Sequence, residues 1–119
     1  MPRPLGFGRD ARLTSRLDFR RVFSDGKKTA GAAMTLWSRR GAPEHPVRLG
    51  LSVSGKVGTA VRRMRLKRLT REAFRLNRHK LSPGADLIVS LRPGCAWKNR
   101  ADAERDLLEA CAKAGLLSS

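Results

Sequence analysis

Between Ala60 and Lys80 the chain reads AVRRMRLKRLTREAFRLNRHK, in which nine Lys or Arg side chains accompany a single acid, Glu72. Cations at that density bind phosphates, and Arg does so through planar, two-pronged hydrogen bonds that Lys cannot match. At roughly 100° per residue, Leu66, Leu69, Ala73 and Leu76 share one narrow arc, while Lys67, Arg68, Arg71, Arg75 and Arg78 gather on roughly the opposite one. The segment therefore reads as a helix over about residues 60–79 that turns hydrocarbon inward and guanidinium groups outward. Like charges at i,i+4 repel by about a few tenths of a kcal/mol per pair. Solvated helix faces usually mix Glu with Lys. This face is almost free of acids, so the missing countercharge points to a nucleic acid.

The rest of the chain supports that partner. Its 119 residues hold 26 basic and 10 acidic side chains, a formal charge of +16 with no acidic domain to offset it. One domain spanning 1–119 is the natural expectation at this length, with the first dozen residues loose. The opening MPRPLGFGRDARL has no apolar h-region, and no stretch approaches the ~20 apolar residues of a membrane span, so a cytoplasmic protein is expected. Cys95 and Cys111 lie far apart and outside any Cys-x-x-Cys pairing; they read as small buried side chains rather than zinc ligands or a disulfide. His45 sits between prolines and His79 ends the basic helix, each without a companion at ligand or triad spacing. No nucleophile-and-base constellation stands out among the scattered acids. Catalytic side chains and metal ligands are therefore not expected from this chain.

The elements that must position the basic helix can be read in turn. Ser15 to Ser24 (SRLDFRRVFS) sets Leu17, Val22 and Phe23 near a helical stripe, with Phe19 four residues before Phe23 and Thr14 or Ser15 as cap. Asp25-Gly26 stops it. Thr29 to Arg39 reads as strand, Met34 and Leu36 on one face and Thr35 and Trp37 on the other. Arg40 to Pro46 is a turn. Val47 to Ser54 alternates Val47, Leu49, Leu51 and Val53 with Arg48, Gly50, Ser52 and Ser54. Gly55 and Gly58 break that strand before the basic helix, and Ser82-Pro83-Gly84 ends the region after it. Asp86 to Leu91 is a compact apolar run that suits a strand inside a sheet, and Ala103, Leu107, Ala110 and Ala114 form the stripe of a last helix that Gly115 stops. The order is αβββαβα. Helices on one side of the sheet would leave its other face open as a cleft floor carrying Trp37.

Aromatics are few: four Phe, two Trp, no Tyr. Single-stranded nucleic acid is held by base stacking along a basic track. Trp37 is the better stacking candidate, whereas Phe19 and Phe23 either stack or pack the first helix on the sheet.

The block GLSVSGKVGTAVRRMRLKRLTREAF, Gly50 to Phe74, resembles the signature of the bacterial ribonuclease P protein component. It combines the strand, the Lys56-Val57-Gly58 turn, Ala60-Val61 and Arg63-x-Arg65-x-Lys67-Arg68-x-x-Arg71-Glu72-Ala73-Phe74. Leu13, Phe19-x-x-Val22-Phe23-x-x-Gly26 and the closing helix also fit, so the likeness spans nearly the whole chain. It implies an α+β fold, a two-layer αβββαβα sandwich with a mixed four-stranded sheet like the second domain of ribosomal protein S5. It also implies a left-handed crossover through the basic helix, where physical rules alone predict a right-handed one.

The resemblance further implies the protein subunit of an endoribonuclease ribonucleoprotein that removes the 5′ leader of precursor tRNA. The RNA subunit, with Mg²⁺ that it mainly holds itself, performs the chemistry. Carried over residue by residue, Lys56, Arg62, Arg65, Arg68 and Arg75 correspond to the side that binds the catalytic RNA. Phe19, Phe23, Trp37, Arg63, Lys67 and Arg71 correspond to the leader cleft. The implied partners are one catalytic RNA per protein and precursor tRNA, with no membrane and no small-molecule substrate.

Four positions depart from the family pattern. Met64 stands where Asn is usual, Gly55 where a basic residue is common and Thr59 where Asn or Lys is; Arg62 compensates in charge. Trp37 replaces a frequent Tyr, keeping the stacking surface without the hydroxyl. The rival readings are a structural RNA-binding protein of ribosomal type, which needs no aromatic cleft, and a major-groove DNA reader, which the apolar stripe disfavours. A protein-only nuclease would need clustered carboxylates.

Overall fold

Local signals close each element of the computed structural model, which describes residues 12, 13 and 15–117. The order is α1 (Arg16–Asp25), β1 (Lys27–Ala30), β2 (Met34–Arg40), β3 (Arg48–Ser52), α2 (Ala60–Asn77), β4 (Ala85–Leu91) and α3 (Arg100–Lys113). Ser15, Thr59 and Asn99 cap the three helices, each accepting a hydrogen bond from a backbone N–H of the first turn, which satisfies a donor that the helix leaves orphaned. The αβββαβα order and the α+β class are those expected. Most of the expectation for the first dozen residues falls on residues 1–11, outside the described part. Arg12, by contrast, forms a parallel bridge with Leu49, and the Leu13 N–H donates to the Leu49 carbonyl at 2.9 Å.

Thr29–Arg39 is not continuous strand but a hairpin. β1 and β2 pair antiparallel, with Lys28 opposite Trp37, around a turn in which the Gly31 N–H donates to the Met34 carbonyl at 2.8 Å. The sheet order is β1-β2-β4-β3, with β2 and β4 antiparallel and β3 and β4 parallel across the α2 crossover. β4 is the inner strand covered on both faces, which is why its sequence is a near-continuous apolar run.

α2 and α3 cover one face of the sheet. Met34, Leu36, Leu49, Leu87 and Val89 meet Leu66, Phe74 and Leu107 there, in the main core. The buried face of α2 is rotated from the expected stripe: Leu66, Thr70, Ala73, Phe74 and Asn77 are inside, while Leu76 is only partly covered and stands outside the core cluster. Two polar residues sit inside because each donates back to its own helix, Thr70 Oγ1 to the Leu66 carbonyl and Asn77 Nδ2 to the Ala73 carbonyl, both at 2.8 Å. A hydropathy stripe passes over such residues.

The second face is not open throughout. α1 lies across its middle, sealing Leu13, Val22 and Ile88 into a smaller core with Phe19 and Trp37 at its edge. Ile88, on the inner strand, would otherwise face water, and Val22 is the α1 residue that covers it.

Candidate nucleic-acid interface

The cleft begins where a glycine lets an aromatic ring lie on the sheet. Gly50 on β3 has no side chain, and a Cβ built there would lie 2.6 Å from Cζ of Phe19 and 2.8 Å from its Cε1. Glycine inside an otherwise alternating strand marks such a close approach. Beside that ring opens a cleft of about 280 Å³ between α1, β3 and α2, lined by Arg12, Leu13, Phe19, Gly50, Lys67 and Arg71 among others. One side is aromatic, the other cationic.

The aromatic side continues across the sheet. Phe19 and Phe23 have ring centroids 6.2 Å apart, and Phe23 meets Trp37 edge-to-face at 5.1 Å, favourable geometry for ring quadrupoles. Lys28 Nζ stands 5.3 Å from the Trp37 ring centre, within range of a cation–π contact. Register explains the row: Lys28, Trp37, Ile88 and Gly50 are successive partners across β1, β2, β4 and β3. Phe19 therefore packs α1 on the sheet and lines the cleft, whereas Phe23, 38% exposed, meets Trp37 beyond the cleft lining.

α1 is tied down at its first turn by an ion network that the sequence reading missed. Arg48 Nε and one guanidinium nitrogen donate to the two carboxylate oxygens of Asp86 at 2.7 and 2.8 Å, and its other nitrogen reaches Asp18 on α1 at 3.4 Å. The Asp86 hydrogen bond is the main cause holding the Arg48 pKa above its ordinary value, against the opposing effect of burial. The alternation of β3 placed Arg48 on the cleft face, but its two acidic partners lie 30 and 38 residues away in sequence, and no local pattern names them.

On the opposite flank of α2 the cations meet a loop instead of a cleft. Arg62 donates to the Cys95 carbonyl, and Arg65 to the Lys98 carbonyl at 2.7 Å. That loop, between β4 and α3, is pinned from its far side by Trp97 Nε1 donating to Asp106 at 2.6 Å and the Lys98 N–H donating to Asp102 at 2.8 Å. Arg68 is exposed, and Arg75 pairs with Glu72. Lys56 is exposed on a 3-10 turn over Gly55–Val57 that precedes α2. Arg63 is half-covered, its Nε buried without a hydrogen-bond partner among the described residues. The fold thus sets Phe19, Lys67 and Arg71 around one cleft, with Phe23 and Trp37 continuing the aromatic row beyond it, and turns Arg62 and Arg65 to the loop on the other side of the same helix, with Arg68 exposed between them. Among the described residues no three His, Cys, Asp or Glu side chains converge as metal ligands, and no helix is long and apolar enough to cross a membrane. Both cysteines are buried and unpaired.

The family model for ribonuclease P matches residues 7–115. The chain belongs to the ribonuclease P protein family. It is 34% identical over 110 residues to the ribonuclease P protein component of Clostridium acetobutylicum, covering 92% of each chain, and 42% identical over 105 residues to that of Thioalkalivibrio sulfidiphilus, covering 84% of this chain and 86% of the other. Among solved structures it superposes on a Staphylococcus aureus RNase P protein, a mutant with defective mRNA degradation activity, with a TM-score of 0.81 at 26% identity over 90% of each chain. The RNase P protein from Thermotoga maritima gives 0.74 at 31% identity over 82% of this chain and 92% of that one. Within this ribonuclease P protein fold Met64 is 64% exposed and adjoins Lys67, Arg68 and Arg71 in a shallow surface depression. Its thioether makes that part of the basic face locally apolar.

Proposed function

We propose that this chain is the protein subunit of a ribonuclease P holoenzyme, binding its catalytic RNA and the 5′ leader of precursor tRNA. The carrying observation is the cleft in which Phe19 faces Lys67 and Arg71 across β3, with Phe23 and Trp37 continuing its aromatic side along the sheet, in a chain whose family is established. An extended single strand needs rings for its bases and cations for its phosphates, and the cleft offers one on each side. Arg63, whose buried Nε has no hydrogen-bond partner among the described residues, stands one turn from Lys67 and extends the cationic side.

Lys56, Arg62, Arg65, Arg68 and Arg75 bind the RNA subunit from the other flank of α2, one protein per RNA, in the cytoplasm. Mg²⁺ held mainly by the RNA supplies the electrophilic assistance for hydrolysing one phosphodiester. The protein orients the leader, excludes alternative paths for it and neutralises nearby phosphates, which lowers the Mg²⁺ the RNA requires.

The test is affinity of the holoenzyme for precursor against mature tRNA. The wild type is expected to prefer the precursor, and Trp37→Ala to reduce that preference by about 1–3 kcal/mol, the worth of one base stacked on an aromatic ring. Equal affinity for both tRNAs in the wild type would favour a structural RNA-binding role of ribosomal type.

A further inference from the structure

The loop that Arg62 and Arg65 grip carries cations of its own. Lys98 is exposed, and Arg100 opens α3 with its side chain 52% exposed. Two donors from α2 hold this loop by its carbonyls at Cys95 and Lys98. Trp97–Asp106, Lys98–Asp102 and the Asn99 cap, whose side-chain oxygen takes the Asp102 N–H at 3.0 Å, hold it from α3. The loop is therefore fixed to both helices, and its charges keep a set position relative to α2.

That position can be read from α2 itself. Val61, Arg65, Arg68 and Glu72 follow the i, i+4, i+7, i+11 spacing of one helix side. Arg65 touches the loop at Lys98. Two turns further along, the carboxyl of Glu72 is held below its ordinary range chiefly by its hydrogen bond to Arg75, with a further contribution from the charge of Arg100. Arg68 lies between Arg65 and Glu72 on that side. Lys98 and Arg100 thus flank Arg65 and Arg68, and Val61, 78% exposed, sits at the end of the same side. The local charge is not balanced from within: Arg100 has a long 3.6 Å contact to Glu104, and Arg75 already occupies Glu72.

We propose that the RNA-subunit interface does not end on α2 but crosses to the β4–α3 loop, where Lys98 and Arg100 bind RNA phosphates alongside Arg65 and Arg68, with Arg62 and Arg65 positioning the loop. The proposal rests on the reading of this chain as a ribonuclease P protein subunit. Its occupant is the catalytic RNA, because a dense array of cations on a braced surface matches a phosphate backbone, whereas the leader has its own aromatic cleft on the far side of α2.

The experiment is titration of ribonuclease P RNA with the full chain across a salt series, using Lys98→Ala, Arg100→Ala and, as a charge-matched control, Lys113→Ala. Lys113 closes α3, about 20 Å along the helix from Arg100. Each of the first two is expected to make the log–log salt slope shallower by about 0.7–0.9, one phosphate contact apiece. Lys113→Ala should leave it unchanged, and none of the three should alter the preference of the assembled holoenzyme for precursor over mature tRNA. These side chains are exposed, so folding is not at stake, and thermal melting checks it. An unchanged slope for both loop variants overturns the proposal, as does an equal loss for Lys113→Ala, which would mean a diffuse charge effect. If wild-type holoenzyme shows no precursor preference while the loop variants still flatten the slope, it is the leader reading that fails and the loop interface stands.

Discussion

The two flanks of α2 carry the same residue types and use them differently. On the cleft side, Lys67 and Arg71 border an open space whose far wall is aromatic. On the loop side, Arg62 and Arg65 spend hydrogen bonds on backbone carbonyls and so build a rigid surface. A guanidinium that donates to a neutral carbonyl keeps its full charge and has donors left over, so the loop-side arginines can brace the fold and still attract phosphate. The difference teaches that wheel angle, more than residue type, decides whether a cation on this helix borders an open cleft or a braced loop.

Phe74 anchors the helix between its flanks and is fully buried. Phe74→Ala is expected to cost about 3–5 kcal/mol of stability in denaturant unfolding, with leader and RNA-subunit binding lost together. Loss of one function alone would mean that the flanks are not organised by a common core.

Gly50→Ala acts on the cleft side only. Its Cβ forces the Phe19 ring off the strand, at about 1–3 kcal/mol of stability as overpacking, and precursor preference should fall while affinity for the RNA subunit holds. Equal losses in both assays would break the division between flanks. Arg68→Ala is the loop-side counterpart: RNA-subunit binding weakens and its salt slope drops by about one, with precursor preference intact. An unchanged slope would remove Arg68 from the phosphate contacts.

The smallest effect separates clamp from core. Burial pushes the Cys111 thiol up to about 12 and raises that of Cys95 as well, so at pH 8 both are protonated and should alkylate slowly in the folded protein. Arg62→Ala releases the loop at the Cys95 carbonyl and is expected to speed alkylation of Cys95 while Cys111, on α3, stays inert. Equal acceleration of both would show that Arg62 supports the whole fold rather than the loop.

The sequence was legible where periodicity and punctuation agree. The three helices, the inner strand and the basic helix follow from stripes, caps and glycines, and the split of α2 cations into two groups came from the family resemblance, to which the fold adds the cleft on one side and the loop on the other. It was less legible where polar atoms satisfy themselves. Thr70 and Asn77 are buried by bonding back to their own helix, so the true interior of α2 is turned toward Phe74. The hairpin at Gly31 hid inside a stretch with strand character. The covering of Ile88 by α1, the Arg48 network and the two arginine clamps depend on residues tens of positions apart, for which a single sequence carries no local signal. Gly50 carried a signal that the alternation alone did not use: a glycine in an alternating strand is itself a sign that something approaches closely.

The central claim is that this chain assists an RNA that does the chemistry. It is tested most directly by cleavage of 5′-labelled precursor tRNA at low Mg²⁺, with a bacterial ribonuclease P RNA, this protein, or both. The account predicts cleavage at the mature 5′ end when both are present, and little from either alone. Cleavage by the protein alone, or no stimulation of its cognate RNA, would contradict it.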